Sequence, residues 1–375
     1  MLLLITNRCQ GLFKPPNARR FLCLGSAGLA LLLILSGCLG QREIKLAGKT
    51  MGTTYHITLV GGYLTAAAPL QSAIDDRLAA INASMSTYRP DSEISRFNQM
   101  TTVATPFPIG KDFQAVMQLS QKLFHITQGA WDGTLDPLID LWGFGRTKRP
   151  EKHVPSEDAI RTGLDAVGFQ HIVLHPDGQL SKKRASVSLD LASVAKGYAV
   201  DVVADLIHQK GFDNYLVEIG GEVYAAGVRI DNQPWRIGIN KPEAGASADQ
   251  VYHVATLQDR AFATSGDYRN FFEIEGRRYA HIIDPRTGYP VSNDVVSVSV
   301  TADTCALADG LATALMVMGA VRGIDLVTSN RIAGRELAFR EALHGGVDSR
   351  RRHAGRALAP RGADAGQRGP RDGGR

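Results

Sequence analysis

"LDLASVAKGYAVD", residues 189–201, is the passage on which the reading of this chain turns. Before it, "IVLHPDGQLSKKRASVSLDL" (172–191) reads as strands around an Asp-Gly turn at 177–178. After it, residues 192–210 carry helical periodicity and Gly211 ends them. Asp190 therefore closes a strand at the entrance to a helix, whose first turn offers unpaired N–H groups and a positive dipole end, a ready place for an anion. Ala192, Ala195 and Gly197 keep side-chain bulk low, and Lys196 adds a positive charge. Taken alone, the stretch is better described as Asp190 capping a helix whose lysine is solvated.

Working outward, "TTYHITLV" within residues 44–60 alternates as a strand does. Residues 69–84 place Leu70, Ile74, Leu78 and Ile81 at helical spacing, and 111–128 repeat the pattern with Phe113, Val116, Met117, Leu119, Leu123 and Phe124. "STYRPDSEISRFN" (86–98) predicts a polar turn and a short helix, and "GAWDGTLDPLIDLWGFG" (129–145) a loop feeding another. Residues 146–158 predict a surface connection. "YLVEIGGEVYAAG", "PWRIGIN", "HVATLQDRAFATSG", "FFEIEGRRYAHIIDP" and "VVSVSVTAD" predict a β-rich half, closed by an apolar helix over 304–318. Runs of strands around a few long helices imply an α+β fold rather than alternating βαβ units.

The formal charge of +5 on 375 residues is unevenly placed. Residues 1–37 hold four bases and no acid, and residues 331–375 hold eleven Arg against five acids, so the body between them is mildly acidic. A basic patch on the fold, which a nucleic-acid binder needs, is not expected, and no nucleic-acid partner is assigned. Arg19 and Arg20 precede the apolar run "FLCLGSAGLALLLIL" and then "SGC", the layout of a signal peptide over residues 1–37. "LSGC" (35–38) resembles a bacterial lipobox, in which Cys38 is lipidated and the body, from residue 38 to about 330, lies outside the cytoplasm on a lipid anchor. Cleavage and lipidation leave Cys305 as the lone thiol, so no internal disulfide is expected. The 331–375 segment, rich in Arg, Gly and Ala and devoid of Lys, reads as an out-of-frame or disordered tail.

Two further stretches could carry chemistry. "HIIDPRTGYP" (281–290) sets His281 three residues before Asp284 at a turn, where acid–base work or plain turn formation would each fit. "ADGLATALMVMG" (308–319) puts Asp309 and Thr313 on one helix face, a hard-oxygen pair suited to Mg²⁺ or, equally, a cap and a core residue. No Walker loop, no zinc cluster and no G-x-S-x-G elbow is present.

In order along the chain, "KTMGTTYHITL", "STYRPDSEISRFN", "DPLIDLWGFG", "LDLASVAKGYAVD", "NYLVEIGGEV", "ATSGDYRNFF", "HIIDPRTGYP" and "ADGLATALMVMG" resemble the ApbE family, the FAD:protein FMN transferases, over about residues 44–329. The resemblance implies a single large α+β domain, related to the T-fold, with antiparallel sheets and a few long helices. It implies Mg²⁺-dependent transfer of the FMN part of FAD to a Thr or Ser hydroxyl of an acceptor protein, with AMP released. FAD pyrophosphatase activity and non-catalytic FAD storage share the same pocket as alternatives. Carried over by motif, Met51, Tyr88, Ala130, Trp131, Asp132, Asp190, Lys196 and Ile283 line the FAD site. Ser193 (through its main-chain carbonyl), Asp309 and Thr313 hold Mg²⁺; some relatives carry a carboxylate where this chain has Ala312. His281 and Asp284 are the candidates for taking the acceptor's proton. The implied acceptors are subunits of Na⁺-translocating NADH:quinone reductase or Rnf-type complexes. The implied location is the periplasmic side of a bacterial inner membrane.

Overall fold

A computed structural model describes residues 40–147, 153–240, 242, 251–268, 270–329 and 338–343; the expected signal peptide and lipidation site, residues 1–37 and Cys38, lie outside the described residues. The strands are β1 (Gln41–Thr50), β2 (Thr53–Gly62), β3 (Phe107–Pro108), β4 (Ile172–His175), β5 (Gln179–Lys182), β6 (Tyr215–Ile219), β7 (Glu222–Ala226), β8 (Trp235–Asn240), β9 (Val251–Leu257), β10 (Arg260–Gly266), β11 (Phe271–Ile274), β12 (Arg277–Ala280), β13 (Val295–Ala302) and β14 (Ala338–Leu343). The helices are α1 (Ala67–Met85), α2 (Glu93–Gln99), α3 (Lys111–Ile126), α4 (Asp136–Leu141), α5 (Glu157–Asp165), α6 (Ala192–Gln209) and α7 (Cys305–Thr328).

One antiparallel sheet, in the order β1-β2-β6-β7-β10-β13-β14, organises the molecule. Strand alternation sorts its two faces. Tyr55, Ile57, Leu59, Val217, Ala261 and Ala263 share the main core with residues of α1, α6 and α7. Val223, Ala225 and Phe262 point the other way, against Trp235 and Leu257 of the β8–β9 hairpin. The expected α+β class with antiparallel sheets is what the chain adopts. Helices α1 and α3 bury the residues their periodicity named, Leu70, Ile74, Leu78 and Ile81 in one, Phe113, Val116, Met117 and Leu123 in the other.

Three expectations are corrected. "ASVSLDL" (185–191) forms no strand: Asn98 takes the place of a neighbouring strand, accepting from the Leu189 N–H at 2.7 Å and donating to its carbonyl at 2.8 Å. Asp190 thus stands after an extended segment rather than closing a strand. Residues 157–165, within and beyond the expected surface connection, form α5, capped by the Ser156 hydroxyl on the Ala159 N–H. The last helix runs past 318, with Gly319 at φ 72° breaking its ladder into two segments. β14 lies inside the 331–375 segment and pairs with β13 from Val295↔Leu343 to Thr301↔Ala338.

One buried cation belongs to the scaffold. Lys182 on β5 is 1 % exposed, donates to the carbonyls of Asn98 and Met100 at 3.0 and 3.1 Å and lies over the Phe97 ring. Burial pushes its ammonium down to about 8. The folded value sits below the unfolded one, so this group's stability contribution is present above the unfolded pKa and lost as pH falls through 8. Between pH 7.5 and 9.5 the wild type should gain about 2 kcal/mol relative to Lys182→Met. Urea midpoints at the two pH values check this; parallel changes in both proteins would show that Lys182 does not titrate in that window.

Candidate functional site

The first turns of α6 and α7 meet at backbone distance. Gly197 permits it: a Cβ there would lie 2.4 Å from the Cys305 carbonyl oxygen and 2.7 Å from Ala306 Cα. One turn further along α6, the Asp201 carboxylate accepts the N–H groups of Cys305 and Ala306 at 2.6 and 2.9 Å, a cap for α7 supplied by another helix. Burial pushes the Asp201 carboxyl up to about 7, against those two bonds.

This crossing brings Lys196 and Asp309 together, although they are far apart in sequence. Lys196 Nζ lies 2.7 Å from Glu222 Oε1 and 3.7 Å from Asp309 Oδ2. Gly197 N–H donates to Asp309 Oδ2 at 3.2 Å. Gly197 is four residues after Ser193, so this N–H is the one that would close the helical bond to the Ser193 carbonyl, and Asp309 competes for it. Burial raises the Asp309 and Glu222 carboxyls, opposed in each case by the Lys196 charge. Burial pulls the Lys196 ammonium down, yet Asp309 and Glu222 together hold it above its usual value. Two carboxylates thus face one ammonium, and the cluster keeps a net negative charge when all three ionise.

Thr313, one turn beyond Asp309, bonds the Ser265 hydroxyl at the end of β10 at 3.1 Å. The Ser193 side chain is taken by Trp131 Nε1 at 3.0 Å, which leaves its main-chain carbonyl as the donor that residue can contribute. A carboxylate, a hydroxyl and a carbonyl form an all-oxygen set that fits Mg²⁺. Ala312 is fully buried and adds nothing. Among the described residues, no group of three His, Cys, Asp or Glu side chains forms an alternative metal cluster.

The remaining sequence-named residues divide in two. Some border the cluster. Met51 has φ 49° and shares the two-residue β1–β2 turn with Gly52, a left-handed pair that a non-glycine residue seldom enters. The Gly220–Gly221 turn of β6–β7 lies alongside, since a Cβ at Gly220 would be 2.8 Å from Thr53 Cγ2 and 3.5 Å from Lys196 Cδ. Asp190 accepts the Ala192 N–H at 2.8 Å and donates its own N–H to Gly133 at 2.9 Å, tying the Ala130–Trp131–Asp132 loop to α6. Burial raises its carboxyl. The N–H groups of Val194 and Ala195 bond the Leu191 carbonyl, so the first turn of α6 is not the open anion site its position suggested.

Asp132, Asp284 and Ile283 are committed to structure, whereas Tyr88 and His281 are not. Asp132 spends both oxygens on Thr134 and the Phe169 N–H. Asp284 is gripped by Arg286 at 2.9 and 2.6 Å and accepts the Arg286 N–H; burial raises its carboxyl, but these bonds more than offset that and hold it low. Ile283 packs beside Trp142 and Tyr279 in a second core. Tyr88 is 74 % exposed on the turn between α1 and α2. His281 donates from Nδ1 to the Asn270 carbonyl at 3.2 Å, so the neutral ring presents a lone pair at Nε2. Burial lowers its pKa, and the Lys196 charge lowers it further.

Glu222 was quoted within "NYLVEIGGEV" but not named as a site residue. Its signal was legible: an acid directly after a Gly-Gly turn, opposite buried Ile219, on the strand face that meets α6. Ser265 and Asp201 carried no comparable local mark.

A model described as "ApbE family" matches residues 51–335. The FAD:protein FMN transferase of Vibrio cholerae is 46 % identical over 308 residues, which are 81 % of this chain and 90 % of that one. The protein of the same name from Haemophilus influenzae is 43 % identical over 317 residues, 82 % and 90 % of the two chains. Among solved structures, the flavin transferase ApbE from Vibrio cholerae aligns at a TM-score of 0.72 with 41 % identity, covering 81 % of this chain and 97 % of that one. The apo flavinyl transferase ApbE of Pseudomonas stutzeri aligns at 0.73 with 35 % identity, covering 82 % and 93 %.

Proposed function

The chain belongs to the ApbE family, and from that premise we propose that it is an FAD:protein FMN transferase. It moves the FMN part of FAD to a Thr or Ser hydroxyl of an acceptor protein and releases AMP. The observation that supports this reading is the meeting of Lys196, Glu222 and Asp309 where α6 crosses α7, with Thr313 one turn along from Asp309 and Asp309 taking the N–H four residues after Ser193, in a cluster too negative to receive a diphosphate unaided. Asp309, Thr313 and the Ser193 carbonyl would hold Mg²⁺, which would supply charge neutralisation at the diphosphate and Lewis-acid polarisation of the phosphoryl group.

The protein's own part is placement and proton handling. Lys196, held by carboxylates, turns its remaining N–H groups to phosphate oxygen. The left-handed Met51–Gly52 turn and the Gly220–Gly221 turn bring backbone to the rim of the site. His281 takes the proton of the acceptor hydroxyl at Nε2. Asp284, its carboxylate engaged by Arg286, is the weaker base of the two and holds the turn. His281→Gln should therefore bind FAD normally and lose transfer by about 10²–10⁴-fold, whereas Asp284→Asn should keep transfer within about fivefold, a loss smaller than any general-base role implies. The reverse ranking in single-turnover assays would move the base to Asp284.

Incubation of the protein with FAD, Mg²⁺ and an acceptor subunit tests the activity itself. Expected are AMP and an acceptor heavier by FMN less one water, both abolished by EDTA and restored by Mg²⁺. Free FMN with an unlabelled acceptor would make the protein an FAD pyrophosphatase; unchanged FAD would make it a storage protein. As acceptors we propose flavin subunits of Na⁺-translocating NADH:quinone reductase or Rnf-type complexes, met at the periplasmic face of the inner membrane by an enzyme anchored through lipidated Cys38.

A further inference from the structure

Glu222 is an unassigned member of the cluster, and its geometry is unusual for a structural ion pair. It is 4 % exposed, one oxygen lies 2.7 Å from Lys196 Nζ, and the other, Oε2, is buried with no hydrogen-bond partner among the described residues. Buried carboxylates that only brace a fold have both oxygens satisfied, because an unpaired one costs roughly 1–3 kcal/mol. The same ammonium lies 3.7 Å from Asp309 Oδ2, outside hydrogen-bond range, while Glu222 has it within range. Two carboxylates compete for one lysine, and Glu222 has won.

We propose that Glu222 is a positioning residue that draws Lys196 away from Asp309 and so keeps the Asp309 carboxylate available to a divalent cation. The inference rests on the reading of Asp309 as a metal ligand. Without the Glu222 charge, Asp309 is the nearest anion left to Lys196. A shift of about 1 Å along a flexible four-carbon stem would then bring the ammonium into hydrogen-bond range of Oδ2. The site would neutralise itself, and a cation would have to displace an internal lysine. The Gly220–Gly221 turn supports the arrangement by fixing the first residue of β7 beside Lys196, with both glycines at positive φ.

A two-by-two cycle measures this: Mg²⁺ titrations followed by calorimetry on the wild type, Glu222→Gln, Lys196→Met and the double variant, with melting curves to check that each folds. Glu222→Gln is isosteric, so folding should survive. It should weaken Mg²⁺ by about tenfold or more when Lys196 is present and by less than about threefold in the Lys196→Met background, a coupling of at least roughly 0.7 kcal/mol. Equal losses in both backgrounds would mean that Glu222 acts only as one more negative charge and would overturn the positioning role while leaving the metal site in place. A wild type that takes up no Mg²⁺ at millimolar concentration would overturn the Asp309 reading and this inference with it.

Discussion

Asp309→Asn should abolish measurable Mg²⁺ binding and lower FMN transfer at least 100-fold, while the metal-free protein melts no lower than the wild type. The first part follows from the donor set. Losing a group that merely orients a metal ligand costs about 10–100-fold, so losing the only carboxylate of the proposed ligand set should cost at least the upper end. The second part follows from burial. Asp309 is 3 % exposed, burial raises its carboxyl more than the Lys196 charge lowers it, and that ammonium lies 2.7 Å from Glu222 but 3.7 Å from Asp309. The carboxylate is therefore a net cost to the empty fold. Asparagine keeps the shape and an oxygen for the Gly197 N–H while discarding the charge. A gain in stability with a loss of function is the pattern expected where a residue is kept for chemistry. Calorimetric titration, transfer assays and melting curves on the same preparation decide it. A variant that still transfers FMN at near wild-type rate would remove Asp309 from the metal site. One that transfers poorly but also melts far lower would make it a structural residue.

The periodic helices and the alternating strands were legible because their signal is local: the inward residues of α1 and α3 repeat within their own segments. α5 was not legible as a separate element, since it is only nine residues long and begins inside a charged, Pro-containing run that reads as a connection, although Ile160 and Leu164 stand one turn apart on its inward face. The false strand before Asp190 shows the opposite error. Val187 and Leu189 alternate and are buried, but their backbone is satisfied by the side chain of Asn98, a partner that no neighbouring residue announces. At the site, Asp309 and Thr313 were legible as a pair on one helix face. What binds Lys196 was not. Its partners come from β7 and α7, and only the fold decides that its ammonium sits between two carboxylates rather than in water. The local reading of Lys196 as a solvated lysine was the reasonable one, and order along the chain, through family resemblance, was the sequence signal that contradicted it.

Gly197→Ala separates the local from the long-range cause most sharply, because the two predict opposite signs. In an isolated helix alanine is better than glycine by about 1 kcal/mol. Gly197 is buried within α6, so propensity alone makes the variant more stable. The fold forbids it: the new Cβ would lie 2.4 Å from the Cys305 carbonyl oxygen and 2.6 Å from its carbon, atoms of main chain that cannot rotate aside. Asp201 pins the same turn of α7 to α6 through two N–H bonds, so relief requires the helices to part by about 1 Å against that clamp. We expect a loss of about 3 kcal/mol, a fall in Tm of roughly 5 °C for a domain of this size. The same separation stretches the 3.2 Å bond from Gly197 N–H to Asp309 and carries Asp309 and Thr313 on α7 away from the Ser193 carbonyl on α6, parting the proposed metal ligands. Mg²⁺ affinity should therefore fall even at temperatures where the variant is fully folded. Gly310→Ala is the matched comparison: its Cβ would approach Leu123 Cδ1 and Val194 Cγ1, side-chain ends that can yield, and its cost should be smaller. If Gly197→Ala melts at or above the wild type and binds Mg²⁺ within twofold, the two helices do not meet at backbone distance, and the juxtaposition of Lys196 with Asp309 loses its foundation.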